Sequence, residues 1–333
     1  MWRNIGHDKA VNTLSQALGE GRLAHAYLVV GPEHIGKMTL ALDLARAVNC
    51  SGSERPCGAC DQCRRIEEGL HADVRVVGVE SGQADGGGRR VAIGLDQVRE
   101  VQREASLKPY EGSSRVLIFD GAERLTEDAA NSLLKILEEP PDQVMLVLLA
   151  SDDSAVLPTI LSRCHRIELR PVAAPRVAAE LEARFALDSA TAMEIARMST
   201  GRIGWAFRAA GDPGLLEERS QRLAQFESAM EGGLEPRFAF AAGLLPVLGA
   251  SRDRVRSELT LWLEWWRDVM AVNQDCPELV TNLSRKASLE PKAKALSSGQ
   301  IASAMRAIQQ TLEYVEQNAN LRLALENLML RLP

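Results

Sequence analysis

An apolar run, Ala26-Tyr27-Leu28-Val29-Val30, leads directly into Gly31-Pro32-Glu33-His34-Ile35-Gly36-Lys37-Met38-Thr39. Leu40, Leu44, Ala45 and Val48 then follow at helical spacing. Strand, glycine-bracketed loop, lysine and helix, in that order, are the context that a phosphate-binding loop needs. Gly31 and Gly36 let the backbone curl with its N–H groups inward, and the helix start adds the positive end of its dipole. Lys37 supplies a point charge. One position departs from the pattern: a Ser or Thr should follow the lysine to ligate Mg²⁺, and residue 38 is Met. Thr39 projects about 100° further round the helix, so it is no obvious replacement.

The alternation continues downstream. Val74 to Val79, Arg115 to Asp120 and Val144 to Leu149 read as strands, the last an unbroken apolar run of the kind covered on both faces. Helices are expected over residues 8–20, where Ala10, Val11, Leu14, Ala17 and Leu18 share a face, and around Leu95, Val98, Val101 and Ala105. A further helix should run from Thr126, as N-cap, to about Glu138, with Glu127 and Asp128 in its first turn and Pro140-Pro141 as its stop. Strands alternating with helices over residues 1–170 predict a parallel α/β sheet. Gly82 to Gly88, followed by Arg89 and Arg90, reads as a glycine-rich loop within it. Strand signals fade after Pro171. Residues 171–212 read as short helices, Gly211-Asp212-Pro213-Gly214 as a boundary, and residues 213–333 as helical throughout, with an aromatic-rich stripe of Leu261, Trp262, Trp265, Trp266 and Val269. Two or three domains suit a chain of 333 residues.

Two more groups carry chemistry. Cys50, Cys57, Cys60 and Cys63 have the spacing C-x6-C-x2-C-x2-C. Four thiolates so placed satisfy tetrahedral Zn²⁺ with no open position, which predicts a structural metal in a polar insert. Cys164 and Cys276 stand alone and read as packing residues. Asp120 ends a strand downstream of the phosphate loop, where a P-loop enzyme keeps a Mg²⁺-coordinating acid. The next residue, Gly121, has no side chain to polarise a water, and Glu123 lies two further on. With 39 basic against 45 acidic residues, a net charge of −6, bulk charge offers no argument for nucleic-acid binding. The strongest apolar run, Val144 to Ala150, is far short of the roughly 20 residues of a membrane span, and the N-terminus shows no apolar signal stretch. A cytoplasmic, reducing setting is expected, in which cysteines ligate metal or pack.

Taken to Ser162-Arg163-Cys164, the pattern resembles the clamp-loader branch of the AAA+ ATPases, and within it the delta-prime subunits of bacterial DNA polymerase III. The stretches that carry the resemblance are His25 to Leu28, the cysteine insert at 50–63, Leu133-Leu134-Lys135-Ile136-Leu137-Glu138-Glu139-Pro140-Pro141, Thr159 to Cys164, and Asn320 to Glu326. It implies an AAA+ P-loop α/β domain (parallel sheet with flanking helices) over 1–170, a small helical lid domain over 171–212 and an all-α collar domain over 213–333. Collar helices with exposed apolar stripes would be covered by other subunits. It further implies that Arg163 reaches across a subunit interface to ATP held by a neighbour, where a guanidinium stabilises charge on the transferred phosphoryl group. The implied partners are homologous clamp-loader subunits, a gamma/tau-like motor and a delta-like subunit, with the sliding clamp and primer–template DNA reached through the assembly and no membrane.

Motor subunits of that family carry Ser or Thr after the loop lysine, a glutamate after the strand-end aspartate, and an arginine in a Gly-x-x-Arg element. Here those positions are Met38, Gly121 and Gly204, the last within Gly201-Arg202-Ile203-Gly204. Three losses predict a stator subunit with little or no ATPase of its own. Its degenerate nucleotide site (Gly31, Gly36, Lys37, Met38, Thr39, Asp120) would hold ADP, ATP without productive Mg²⁺, or neither. Two other readings stand beside it. One is a catalytically active gamma-like motor with Thr39 and Glu123 standing in. The other is a zinc-ribbon nucleic-acid-binding protein with a vestigial P-loop, supported by Arg64 and Arg65 but opposed by Glu67, Glu68 and the lack of interleaved aromatics.

Overall fold

The computed structural model describes residues 1–79, 92–248, 251–317 and 319–333; the glycine-rich stretch Gly82 to Gly88, with Arg89 and Arg90, lies outside them. The chain divides into two compact units, Met1–Val177 with Gly201–Trp205, and Ala178–Thr200 with Ala206–Pro333.

The first unit contains, in order, α1 (Asp8–Gly19), β1 (Ala26–Val30), α2 (Lys37–Asn49), α3 (Asp61–Glu67), β2 (Val74–Val77), α4 (Leu95–Ala105), β3 (Arg115–Asp120), α5 (Glu127–Glu138), β4 (Val144–Ala150), α6 (Pro158–Leu161) and β5 (His165–Glu168). The strands form one parallel sheet in the order β2-β3-β4-β1-β5. Every residue of the inner strands β1 and β4 is buried, as their unbroken apolar runs require once helices cover both faces. Successive side chains alternate between two cores. Leu28, Leu117, Phe119, Leu146 and Leu148 pack with Val98 and Val101 of α4 and Leu133 and Ile136 of α5. Val29, Val116, Ile118, Val147 and Leu149 pack with Leu14 of α1 and Leu40 and Leu44 of α2. Thr126 caps α5 through a hydrogen bond from the Ala129 N–H, so that helix starts where its sequence signals place it.

The fifth strand is absent from the sequence reading. His165–Glu168 buries only Ile167, and its charged residues read as loop; it becomes a strand because β1 offers an edge for it to pair with.

Parallel strands all end on one side, and this gathers the loops that matter. The Gly31 N–H donates to the Ala150 carbonyl and the Gly121 N–H to the Leu149 carbonyl, both at 3.1 Å. The phosphate loop and the turn after Asp120 therefore hang side by side from the end of β4.

Two helices, α7 (Ala174–Phe185) and α9 (Ile203–Gly211), run across the division between units, with α8 (Ser189–Met198) between them in sequence. The second unit continues with α10 (Pro213–Glu231), α11 (Leu234–Leu248), α12 (Arg252–Asn273), α13 (Lys286–Ala295), α14 (Ser298–Glu316) and α15 (Leu321–Arg331). The sequence boundary at Gly211 to Gly214 is a helix start: Asp212 caps α10 by accepting the Gly214 N–H at 3.0 Å. The aromatic stripe of α12 is buried within its own unit. Trp262 stacks on Phe226 with ring centroids 4.7 Å apart, and Leu261, Trp265, Trp266 and Val269 belong to the same core. Helices α10, α13 and α14 of the same unit cover this stripe. Exposed apolar residues of this unit include Leu234 and Leu279, and Leu323 and Leu330, the last two seven residues apart on one face of α15.

Candidate functional site

Gly31 follows β1 directly and Gly36 precedes the first residue of α2, so the loop between them has the strand–loop–helix form read from sequence. Lys37 opens the helix and its Nζ turns back onto the loop, donating to the carbonyls of Gly31 and Pro32, the latter at 3.0 Å. Burial lowers the pKa of this ammonium, opposed by the charges of Glu123, Glu33 and Asp120, in decreasing order. The acid that acts most on the lysine is thus Glu123, not the strand-end Asp120, which is exposed. Gly121 makes the difference. It sits in the left-handed region (φ 91°) and starts the tight turn Ala122–Arg124, which swings Glu123 back towards the loop. The Glu123 Oε1 accepts the Ser151 N–H at 3.3 Å, while its Oε2 is buried without a hydrogen-bond partner.

Met38 is half-buried against the core to which Leu14 of α1 and Leu40 of α2 belong, and Thr39 is exposed. A thioether is no ligand for Mg²⁺, which takes hard oxygen donors. The carbonyls of Gly31, Pro32, His34, Ile35 and Gly36 are occupied by the chain itself. Asp43, fully buried on α2, accepts the N–H groups of Arg3 (2.7 Å) and Asn4 (2.8 Å) and pairs with Arg46. This lays the N-terminal residues across the loop: Asn4 Nδ2 donates to the Gly36 carbonyl at 2.9 Å and His7 Nε2 to the Ile35 carbonyl at 3.1 Å. From the far end of the unit, the Gly204 N–H donates to the His34 carbonyl at 2.8 Å. A Cβ at position 204 would stand 2.8 Å from that same oxygen, so the contact leaves no room for a side chain. Gly204 is a packing requirement of this contact.

The four cysteines meet. Cys50 follows α2, Cys60 precedes α3 and Cys63 lies in its first turn, and the four Sγ atoms all lie within 4.8 Å of one another, Cys50 and Cys60 at 3.9 Å. A tetrahedral site with Zn–S bonds of about 2.3 Å needs sulfurs on the order of 3.8 Å apart. Backbone N–H groups already point at the sulfurs: Gly52 and Cys57 donate to Cys50 Sγ at 3.3 Å, and Cys60 to Cys57 Sγ at 3.3 Å. The cluster can therefore hold a metal. Burial pushes the Cys63 thiol up to about 12, so metal binding there must displace its proton. The neighbouring arginines are engaged within the chain, Arg64 with Asp61 and Arg65 Nε with Glu111 Oε2 at 2.9 Å.

Arg163 stands on the turn between α6 and β5. Ile160 is buried and Leu161 and Cys164 pack against the sheet core, which leaves Ser162 exposed and Arg163 half-buried at the surface. Burial pushes the Cys164 thiol up to about 12, in keeping with a packing role. Arg163 Nη1 donates to the Thr159 carbonyl at 2.9 Å and to Ser162 Oγ at 3.2 Å, and Nη2 meets Glu138 Oε1 at 2.6 Å. Asn4, His7, Asp43 and Glu138 were given no role from sequence, because the partners that give them one lie 25 or more positions away. Only Glu138 carried a signal: with Glu139 it puts acids at the end of a helix, where the dipole disfavours them.

A family model described as DNA polymerase III, delta subunit, matches residues 6–173, half of the chain. The chain belongs to this family. Within the delta subunit family and its clamp-loader relatives, it is 35% identical over 174 residues to the DNA polymerase III subunit delta' of Bacillus subtilis, covering 51% of this chain and 50% of that protein. It is 35% identical over 182 residues to the subunit gamma/tau of Mycobacterium tuberculosis, covering 54% of this chain and 30% of that one. With the subunit tau of Escherichia coli it shares 31% over 180 residues, covering 54% and 26%. The chain thus spans about half the length of the delta' relative and less of the gamma/tau ones. A gamma subunit-related protein from Thermotoga maritima is similar in structure with a TM-score of 0.47 and 15% identity, over 96% of this chain and 97% of that one. Among the described residues no helix is long and apolar enough to cross a membrane.

Proposed function

We propose that this chain is a delta-prime-like stator subunit of a bacterial clamp loader. It takes part in ATP-dependent loading of a sliding clamp onto primed DNA and supplies Arg163 in trans to a neighbouring gamma/tau-like motor, with little or no ATPase of its own. The observation that carries this reading is the placement of Met38. At the position of the Mg²⁺-ligating hydroxyl it packs on the core, while Thr39 faces solvent. Gly121 and Gly204 withhold two more groups of the hydrolytic set, and Arg163 stands half-buried at the surface, held by Glu138. Cys50, Cys57, Cys60 and Cys63 hold a structural Zn²⁺ in this reading, residues 171–212 act as a lid and residues 213–333 as a collar. Leu323 and Leu330 give α15 an apolar face suited to a homologous collar or a delta-like subunit. Clamp and DNA are met through the assembly, in the cytoplasm.

The test is reconstitution with motor subunits in which only the motor facing Arg163 keeps its own phosphate-loop lysine. DNA-stimulated ATP hydrolysis should fall by on the order of 10³-fold with Arg163→Ala. Unchanged turnover would remove the trans role.

One observation favours the motor reading instead: Glu123 bears on Lys37 and presents a buried, unpartnered carboxylate oxygen. Hydrolysis by the isolated chain at several turnovers per second, abolished by Lys37→Ala and by Glu123→Gln, would establish it and sink the stator reading.

A further inference from the structure

We infer that Glu138 is a positioning residue for Arg163, holding the guanidinium in the orientation it presents to the neighbouring subunit. The inference rests on the proposed trans role of Arg163. Glu138 ends α5, where a carboxylate faces the negative end of the helix dipole and lacks an electrostatic reason of its own. A residue that breaks a local preference marks a place where tertiary contacts or function decide. Here the contact is the 2.6 Å ion pair with Arg163, 25 positions later in the chain.

The geometry on both sides of that pair is set by the core. Leu133, Ile136 and Leu137 bury one face of α5, which fixes the helix and turns Glu138 outward. Ile160, Leu161 and Cys164 do the same for the turn that carries Arg163. Between these two anchored backbones the guanidinium is held at both Nη atoms, by the Thr159 carbonyl and Ser162 Oγ on one and by Glu138 on the other. An exposed arginine samples many rotamers, and selecting one before docking reduces the entropy lost when it engages a phosphoryl group. Glu138 acts through Arg163 and touches no nucleotide.

The experiment uses the complex described above, with one competent motor site opposite Arg163, and measures kcat and KM for ATP together with the melting temperature of each variant chain. Exposed ion pairs have modest strength, so Glu138→Ala should lower kcat by about three- to fivefold. KM should be unchanged, because ATP is held by the motor. Glu138→Asp should recover part of the loss, and Glu138→Ala should add nothing in the Arg163→Ala background. If Arg163→Ala abolishes turnover while Glu138→Ala leaves kcat unchanged, or if the two losses multiply, the positioning role is wrong and the trans role stands. A rise in kcat with Glu138→Ala would show that the carboxylate restrains the arginine, and would also overturn the inference. If Arg163→Ala itself leaves turnover unchanged, the trans reading fails and this inference falls with it.

Discussion

Asp73 shows how much a single buried carboxylate organises in this chain. Its oxygens accept the N–H groups of Tyr110, Glu111 and Gly112, each at 2.8 Å, and pair with Arg115 at 2.9 Å. Burial works against its ionisation, but those donors outweigh it and bring its pKa down to about 2. Because the folded value lies below the unfolded value of about 3.9, the stabilisation is complete above roughly pH 4 and is lost as pH falls towards 2. Asp73→Asn should therefore cost about 2 kcal/mol near neutrality and flatten the acid limb between those two pH values. Urea midpoints measured across that range check both. At the phosphate loop, Gly204→Ala would drive a Cβ to 2.8 Å from the His34 carbonyl oxygen. The expected cost is about 1–3 kcal/mol, with loss of hydrogen-exchange protection at the residue 204 amide; protection equal to wild type would show that the segment can shift at no penalty.

Among elements, α3 depends on something outside itself. At seven residues it is too short to persist alone, and Cys63 in its first turn ties it to the cysteine cluster. It is also the support of a neighbouring loop: Gln62 Nε2 donates to the Glu111 carbonyl at 3.0 Å and Arg65 Nε pairs with the Glu111 carboxylate at 2.9 Å. With Zn²⁺ in the cluster, as proposed, Cys63→Ser should release it, read with a chromogenic chelator. It should also raise amide exchange both in 61–67 and around Glu111, while β1 and β4 stay protected. A chain with no stoichiometric zinc, or exchange confined to the cysteines, would contradict that role. The strand β5 teaches the complementary lesson. Its four residues carry too weak an alternation to be read locally, and it forms because pairing with β1 satisfies its backbone.

For the whole molecule, the two units have separate apolar cores, a pair on the two faces of the parallel sheet and another around the aromatic group of Phe226, Trp262, Trp265 and Trp266. Removing the stacked indole with Trp262→Ala should cost about 3–5 kcal/mol. In differential calorimetry that should lower one of two transitions and leave the sheet unit's transition in place. A single transition that moves as a whole would show that the units unfold together.

Local spacing alone determined the phosphate loop with its misplaced Met38, the cysteine cluster, four of the five strands and the helical second half. Each depends on periodicity or on residues within a few positions of one another. Only the tertiary structure decided that Glu123 outweighs Asp120 at Lys37, that Gly204 packs on the loop, that Arg163 pairs with Glu138, and that the tryptophan stripe is covered by its own unit. These contacts join residues tens to more than a hundred positions apart. They are set by the strand order of the sheet and by which helix faces pack together, and neither is written in the period of any single element.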